Sequence, residues 1–393
     1  MRRLWEQLAI ATNWPVLVSV LVLSSVGILS IWVTSRPDGI KQLVFLGVSL
    51  GCMTLFQAAN YQKIGQLAWP FYFFSLGLIA YTLVGQKMGG HLPFVHETKG
   101  AWAWINLGPV SLEPAELMKI AFVLVLARYL RFRSNYRTMN GLLGPFAVAL
   151  VPLAMVLKQP DLGMASLFVP TLFAMLFVAG ARIKHLLLVA LLGLAMVPVL
   201  WFAGPKPDGP DLPVFRHLPV FVKDYQRKRV YAMFRHDPKT MRELGYQTQR
   251  ALAAFASGGL TGKGPGVIPL GQNVPEAHND MIFALVGEQF GFVGAAVVLG
   301  AFLVLFASGI EIAAATREPF GRLVAVGIVC MLATQAFVNL MVMLRLMPVT
   351  GITLPFVSYG GSSLVSGYMA VGLLLNVGQN RPLVIARESF DYD

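Results

Sequence analysis

Residues 15–34 read PVLVSVLVLSSVGILSIWVT, and this stretch decides the fold class of the chain. Its 20 residues include no titratable side chain, and an α-helix needs about 20 apolar residues to cross a bilayer. Only helices and closed barrels satisfy their backbone hydrogen bonds inside lipid, and a barrel strand takes only about 9–11 residues. The stretch therefore predicts a transmembrane α-helix.

Similar apolar runs recur along the whole chain of 393 residues. Hydrophobic residues make up 56% of it and charged residues 13%, whereas a soluble domain carries about 25% charged residues. We predict an all-α polytopic membrane protein, formed by residues 1–393 as a single transmembrane domain. Its long extracytoplasmic loop, about residues 205–280, separates the seventh and eighth helices. The ten predicted spans lie near residues 15–34, 40–59, 66–86, 112–130, 141–158, 163–180, 186–204, 281–310, 323–344 and 361–378.

Basic residues concentrate in alternate short loops, at residues 128–140, 181–185 and 316–322, and near both ends of the chain. Cytoplasmic loops of membrane proteins carry an excess of lysine and arginine. We therefore expect both termini in the cytoplasm and the long loop outside. The net charge of +12 fits these loops and their contact with anionic lipid headgroups, so we expect membrane lipids and no nucleic acid as partners.

An unusual group of polar side chains stands in residues 274–291, VPEAHNDMIFALVGEQFG, where an apolar helix begins. One interpretation is capping, since the side chain of Asn279 or Asp280 can accept hydrogen bonds from the first backbone N–H groups. The other is that Asp280 is a reactive carboxylate at the membrane surface. His278 is the alternative base, because histidine titrates near neutral pH.

Two motifs place charged residues at the ends of predicted helices. EPAELMKIAF, residues 113–122, puts Glu116 and Lys119 on one helix face. Charges within a membrane tend to pair or to line a cavity. The two residues are therefore either a structural ion pair or a polar cavity wall that contacts an anionic headgroup. In KQPDLG, residues 158–163, Asp161 is expected to cap the helix that follows.

Three further stretches are candidates for contact with a substrate. DYQRKRV, residues 224–230, suits either a pyrophosphate or an anionic lipid surface. SGGLTGKGPG, residues 257–266, lacks the Walker pattern, so a flexible turn is favoured while phosphate contact by Lys263 stays open. MPVTGITLPFVSYGGSS, residues 347–363, interrupts an apolar region. Membrane proteins tolerate such a break where protein buries it or where it lines a cavity.

In this order the motifs resemble those of the SEDS family (shape, elongation, division and sporulation), to which RodA and FtsW belong. The resemblance covers nearly the whole chain, and it includes GAWAWINLG at residues 100–108 and the Y-Q-x-x-R pattern of Tyr225, Gln226 and Arg229. The NWPVL stretch and the short amino end favour the RodA-like branch.

Some positions depart from the family pattern. Glu113 replaces the usual glutamine, Gln289 replaces the second glutamate of the late motif, and Arg345 stands where glycine is common. We expect Glu113 and Arg345 to add charge near the site and to alter the grip on the substrate. The aspartate of the motif, Asp280, is retained.

The resemblance implies a peptidoglycan glycosyltransferase that polymerises lipid II on the outer face of the bacterial cytoplasmic membrane. It also implies a class B penicillin-binding protein as partner, which cross-links the new strands. Asp280 matches the essential aspartate of the family, and we expect it to act as the general base. No metal ligand is assigned, although a divalent cation, Mg²⁺ or Mn²⁺, stays open as a cofactor. The residues expected to contact the substrate are Trp104, Glu116, Lys119, Gln226, Arg229, Lys263, His278 and Ser358.

Three other functions stay open on the sequence. They are an FtsW-like polymerase of cell division, a lipid II flippase and a non-catalytic scaffold for the cross-linking partner. Ten spans with intramembrane charges also describe a transporter. A transporter would move lipid across vesicles without making glycosidic bonds, whereas an enzyme would make such bonds in detergent.

Overall fold

A computed structural model describes residues 13–90, 92–97, 101–108, 110–133, 135–159, 161–203, 227, 229–230, 246–271, 274 and 276–379. An antiparallel hairpin pairs β1 (Ile105–Asn106) with β2 (Ser111–Leu112), with Ile105 opposite Leu112. Two 3-10 turns lie at Asn135–Arg137 and Asn140–Leu142. The helices are α1 (Trp14–Thr34), α2 (Arg36–Ala58), α3 (Tyr61–Gln66), α4 (Ala68–Lys87), α5 (Pro114–Phe132), α6 (Leu143–Lys158), α7 (Leu162–Ala179), α8 (Ile183–Phe202), α9 (Tyr246–Ser257), α10 (Ile282–Ala315), α11 (Pro319–Met343) and α12 (Gly361–Gln379).

Nine helices in the described part of the chain are long and apolar enough to cross a membrane. Helix α5 is the tenth long helix, and its four charged residues keep it out of that set. Each predicted span lies on one of these ten helices. The all-α polytopic fold is therefore confirmed.

Helix α5 lies at the centre of the bundle. Fourteen of its 19 residues are buried, and it packs against α4, α6, α7, α11 and α12. Glu116 and Lys119 belong to its first two turns and are both buried. The charges that the sequence places at this helix end therefore lie inside protein.

The ends of α7 show how local sequence sets helix boundaries. Asp161 Oδ1 accepts a hydrogen bond from Met164 N at 2.8 Å, which confirms the predicted cap. The helix ends at Gly180, whose φ of 93° is left-handed. A side chain at that φ would strain the backbone, so glycine suits this position.

The chain between α11 and α12 is non-helical and partly buried, as its prolines and glycines predict. Three buried amide side chains satisfy its backbone. Gln42 donates to Ser358 O at 3.1 Å, Gln335 donates to Thr353 O at 3.1 Å, and Asn339 donates to Ile352 O at 2.8 Å. Irregular backbone inside a membrane protein is stable where such partners replace the missing helix bonds.

Helix α10 bends at Gly291, whose φ of 62° and ψ of −158° are non-helical. The glycine-rich loop after α9 supplies the missing acceptors, because Gly259 O accepts from Phe292 N at 2.9 Å and Leu260 O accepts from Val293 N at 3.1 Å. A Cβ at Gly262 would collide with the backbone of Gln289. These glycines therefore let the loop dock on α10 through backbone hydrogen bonds.

Helix α9 lies within the predicted long loop. It buries Thr248, Ala251 and Ala254 and packs on α10. Helix α8 has a different environment, since Leu186 is its one buried residue and α7 is the main element that it contacts among the described residues. Most of the apolar surface of α8 is therefore available to lipid.

Candidate active site

Asp280 lies in the turn that precedes α10 and is partly buried. Its carboxylate Oδ1 accepts a hydrogen bond from Gln247 Nε2 of α9 at 3.1 Å. Helix α10 begins at Ile282 after Met281, without a side-chain capping bond. Met281 therefore occupies the N-cap position, and the predicted cap position at Asn279 or Asp280 is wrong.

Asn279 instead closes the turn on itself. Its side-chain amide donates to Glu276 Oε2 at 2.6 Å, and its backbone N–H donates to Glu276 O at 2.9 Å. Glu276 has a φ of 53°, which is costly for a residue with a side chain. The turn therefore holds Asp280 in a defined and strained loop rather than in a regular helix end.

The backbone of Asp280 has its own support from α11. Asn339 Nδ2 donates to Asp280 O and to Ile352 O, each at 2.8 Å, and the asparagine is 1% exposed. This one amide joins the turn of Asp280 to the non-helical segment between α11 and α12. The carboxylate and the carbonyl of Asp280 are thus held from two different helices.

His278 also joins the turn of Asp280 to the non-helical segment between α11 and α12. Its carbonyl accepts a hydrogen bond from Tyr359 N at 2.9 Å, and the two rings pack edge to face with centroids 5.6 Å apart. The Asp38 carboxylate at the start of α2 lies close to the Tyr359 hydroxyl. Burial raises the pKa of Tyr359, and the Asp38 carboxylate acts in the same direction.

Ser358 is buried and supports the backbone. Its hydroxyl oxygen accepts from Leu354 N at 2.8 Å, and its carbonyl accepts from Gln42. Its expected contact with a substrate stays a prediction.

Glu116 and Lys119 form the ion pair that their spacing predicts. Lys119 Nζ lies 2.8 Å from Glu116 Oε2, and both side chains are under 5% exposed. Gln335 Oε1 accepts from Lys119 Nζ at 2.9 Å, and Ser366 Oγ donates to the carboxylate. Gln335 also donates to Thr353, so the pair is connected to the segment that Asn339 ties to Asp280.

Trp104 and Glu113 flank the β1–β2 hairpin, and the Trp104 indole N–H lies close enough to the Glu113 carboxylate to lower its pKa. Burial raises the pKa of Glu113 well above its usual range, and the carboxylates of Glu116 and Asp161 add to the shift. Lys119 and the Trp104 indole oppose it. The acid that replaces glutamine here is therefore shifted toward its neutral form, which like an amide can donate a hydrogen bond.

Lys263 belongs to a second cluster, on the other side of the α9–α10 contact. Its ammonium lies 2.8 Å from Glu288 Oε1 and 2.6 Å from Ser257 Oγ. Glu288 is fully buried and also accepts from Gly271 N at 2.7 Å and Leu270 N at 3.1 Å. These contacts explain Lys263 as a support of the glycine-rich loop, and its phosphate contact stays a prediction.

Arg229 donates from Nη1 to Val349 O at 3.0 Å, which places this basic residue against the non-helical segment. Gln226 lies outside the described residues. The described residues bring together no three His, Cys, Asp or Glu side chains that could hold a metal ion.

Four amide side chains outside the sequence motifs shape the site. They are Gln42, Gln247, Gln335 and Asn339, and each bonds a segment distant in sequence. Polar residues within apolar spans tend to be functional. That signal was present for Gln42, inside the predicted span 40–59, and for Gln335 and Asn339, inside the predicted span 323–344.

The fold and site define a polytopic helical membrane protein with a loop carboxylate held beside a buried polar network. The family model for cell cycle proteins of the FtsW, RodA and SpoVE type matches residues 4–382. The chain belongs to this family, and the SEDS resemblance is confirmed.

Two curated relatives extend over most of the chain. "Probable peptidoglycan glycosyltransferase FtsW" of Geobacter metallireducens is 37% identical over 289 residues, which are 71% of this chain and 70% of the relative. "Peptidoglycan glycosyltransferase MrdB" of Escherichia coli K12 is 29% identical over 385 residues, 97% of this chain and 96% of the relative.

Two solved structures share the fold. The rod shape determining protein RodA of Thermus thermophilus matches with a TM-score of 0.66 and 29% identity, over 94% of this chain and 97% of that one. A chain from work described as "Structural coordination of polymerization and crosslinking by a peptidoglycan synthase complex" matches with a TM-score of 0.76 and 32% identity. That match covers 95% of this chain and 99% of the other.

Proposed function

We propose that this protein is a peptidoglycan glycosyltransferase that polymerises lipid II, with Asp280 as the general base. The observation that carries the proposal is the position of Asp280. Its partly buried carboxylate stands at the start of α10, and separate helices hold its side chain and its backbone. The family and the names of the glycosyltransferase relatives support the reaction class.

The proposed glycosyl transfer needs one general base. A sugar hydroxyl forms a bond to the anomeric carbon of the growing strand while the bond from that carbon to the pyrophosphate breaks. The hydroxyl proton passes to the Asp280 carboxylate, and the pyrophosphate leaves with the electron pair. A pyrophosphate needs little acid catalysis to leave, whereas a retaining transfer would need a second nearby carboxylate.

Cations near the site are proposed to stabilise the charge that develops on the pyrophosphate. Arg229 lies against the non-helical segment through Val349, and it is the best-placed described candidate. Glu116 and Gln335 hold Lys119 in place inside the bundle. We therefore propose that its positive charge acts on the pyrophosphate at a distance, through the electrostatic potential. We keep Trp104, His278, Lys263, Gln226 and Ser358 as proposed substrate contacts.

The biological setting belongs to the same proposal. We place the protein in the bacterial cytoplasmic membrane with the site on the outer face and both termini inside; the termini lie outside the described residues. Likeness to RodA supports a role in cell elongation, while the FtsW relative keeps division as the alternative. A complex of polymerisation and cross-linking among the structural relatives supports a class B penicillin-binding protein as partner.

The test is polymerisation by the purified full-length protein, alone and with its transpeptidase partner, in detergent with labelled lipid II. We expect wild type to make glycan strands on a gel and Asp280→Asn to make none while unfolding at the same temperature. Glu311→Gln is the control, since it removes an exposed acid near the far end of α10 from Asp280. Glycan strands made by Asp280→Asn at the wild-type rate would refute the role of Asp280 as the general base. Lipid movement across vesicles without strands would favour the flippase instead.

A further inference from the structure

Asn339 makes two hydrogen bonds that determine which way its amide points. Both donor hydrogens are used, because Nδ2 donates to Asp280 O and to Ile352 O, each at 2.8 Å. The reversed amide would set Oδ1 against two carbonyl oxygens, so the network fixes the observed orientation. The side chain is 1% exposed and Oδ1 has no hydrogen-bond partner among the described residues. The residue therefore serves the two carbonyls and is too deep to touch a substrate.

The two carbonyls belong to the two segments that form the site. Asp280 ends the strained turn of Glu276, and Ile352 lies in the non-helical segment that also carries Thr353 and Tyr359. Neither segment has regular secondary structure around these residues, so neither is positioned by a helix ladder. Asn339 comes from α11, where its neighbours are largely buried. It therefore anchors both the Asp280 turn and the Ile352 segment to a well-packed helix.

We infer that Asn339 is a positioning residue for the glycosyl transfer: it fixes the Asp280 backbone against the Ile352 segment, so that the carboxylate meets the acceptor hydroxyl. This inference rests on the proposed function, and it concerns the rate of the chemical step rather than substrate binding. Gln247 contacts the carboxylate itself, whereas Asn339 sets the position of the main chain that carries it. A displacement of about 1 Å can cost about 100-fold in rate.

The chain offers a matched control in Asn376 of α12. This asparagine is also buried, and its Nδ2 likewise donates to two carbonyls, of Phe56 and Ala59 at the end of α2. Replacement of either asparagine by leucine leaves two carbonyls without their donor. The two replacements should therefore cost similar stability, but only one of them lies at Asp280.

The experiment compares Asn339→Leu and Asn339→Asp with Asn376→Leu and Asn376→Asp. Full-length protein, with its transpeptidase partner where that is needed, is assayed on labelled lipid II well below each variant's unfolding temperature. We expect Asn339→Leu to lower kcat by about 10- to 100-fold with KM within about twofold. Asn339→Asp should lose less, because a buried acid stays protonated and can still donate one bond. Both Asn376 variants should keep the wild-type kcat.

Hydrogen exchange gives a readout that does not depend on activity. We expect Asn339→Leu to speed exchange of the turn at residues 276–281, and Asn376→Leu to speed exchange near residues 56–59. Equal loss of kcat at both asparagines, an effect of Asn339→Leu on KM alone, or unchanged exchange in residues 276–281 would each overturn the inference. If wild type makes no strands, the proposed function fails, and the exchange data then decide whether Asn339 holds the turn.

Discussion

The Lys263 ammonium lies 2.8 Å from the Glu288 carboxylate, and this pair joins the glycine-rich loop to α10 just before the helix bends at Gly291. Glu288 is fully buried and takes two backbone N–H bonds as well, from Leu270 and Gly271. Lys263, which the sequence motif suggests as a phosphate contact, therefore forms a structural ion pair. The loop, the bend and the start of α10 form one connected unit.

Glu288→Gln is expected to destabilise the protein by about 2–3 kcal/mol, because it removes the charge from a buried carboxylate that accepts several hydrogen bonds. Thermal and denaturant unfolding in detergent would measure the change. Glu311→Gln is the control, since it makes the same replacement at an exposed position of α10, and we expect no change there. A stability loss no larger for Glu288→Gln than for Glu311→Gln would contradict the structural role.

The Glu116–Lys119 pair should show strong coupling. Lys119→Met leaves the buried carboxylate without its cation, which is expected to cost about 3–5 kcal/mol. Glu116→Gln together with Lys119→Met removes both charges, so the double variant should be more stable than the sum of the single effects predicts. The free energy of unfolding of the four proteins in a double-mutant cycle measures this. Additive effects, within about 0.5 kcal/mol, would show that the pair is not coupled.

Asp161 makes the stability of the protein depend on pH. Burial raises its pKa to about 6 from an ordinary value of 3.8, although the Met164 N–H bond opposes the shift. The folded state then holds the proton more tightly than the unfolded state, so this contribution is present below about pH 4 and is lost as pH rises through about 6. Asp161→Asn removes the titration but keeps a capping side chain.

We therefore expect Asp161→Asn to unfold at a less pH-dependent temperature than wild type between pH 4 and 7. Glu113→Gln should act in the same direction, since burial also raises the pKa of Glu113. The unfolding temperature measured across this pH range tests the prediction. Glu311→Gln is the control, because it replaces an exposed acid. A full wild-type pH dependence in Asp161→Asn would assign the effect to another group.

Short-range patterns made most of the fold predictable, because a membrane span and an i,i+3 ion pair are encoded within a few turns of helix. Residues 15–34, the Glu116–Lys119 pair and the Asp161 cap all have their partners close in sequence. The amide network was not predictable in this way. Gln42 bonds Ser358, 316 residues away, and the carbonyls that need such a donor are known only once the non-helical segment is placed. The cap predicted for Asn279 failed because α10 begins only at Ile282, with Met281 at the N-cap position.

Arg345 follows α11 with a φ of 59°, and its backbone N–H donates to Val342 O at 3.0 Å. The left-handed backbone explains why glycine is common here in the resembled family, since a side chain at this φ costs about 1–2 kcal/mol. Arg345→Gly and Arg345→Ala both remove the guanidinium and its contacts, but only glycine relieves the backbone. We expect the glycine variant to be about 1 kcal/mol more stable than the alanine variant. At Arg317, which has no positive φ, the same pair should favour alanine or show no difference. Equal unfolding free energies for the two Arg345 variants would mean that the backbone there is unstrained.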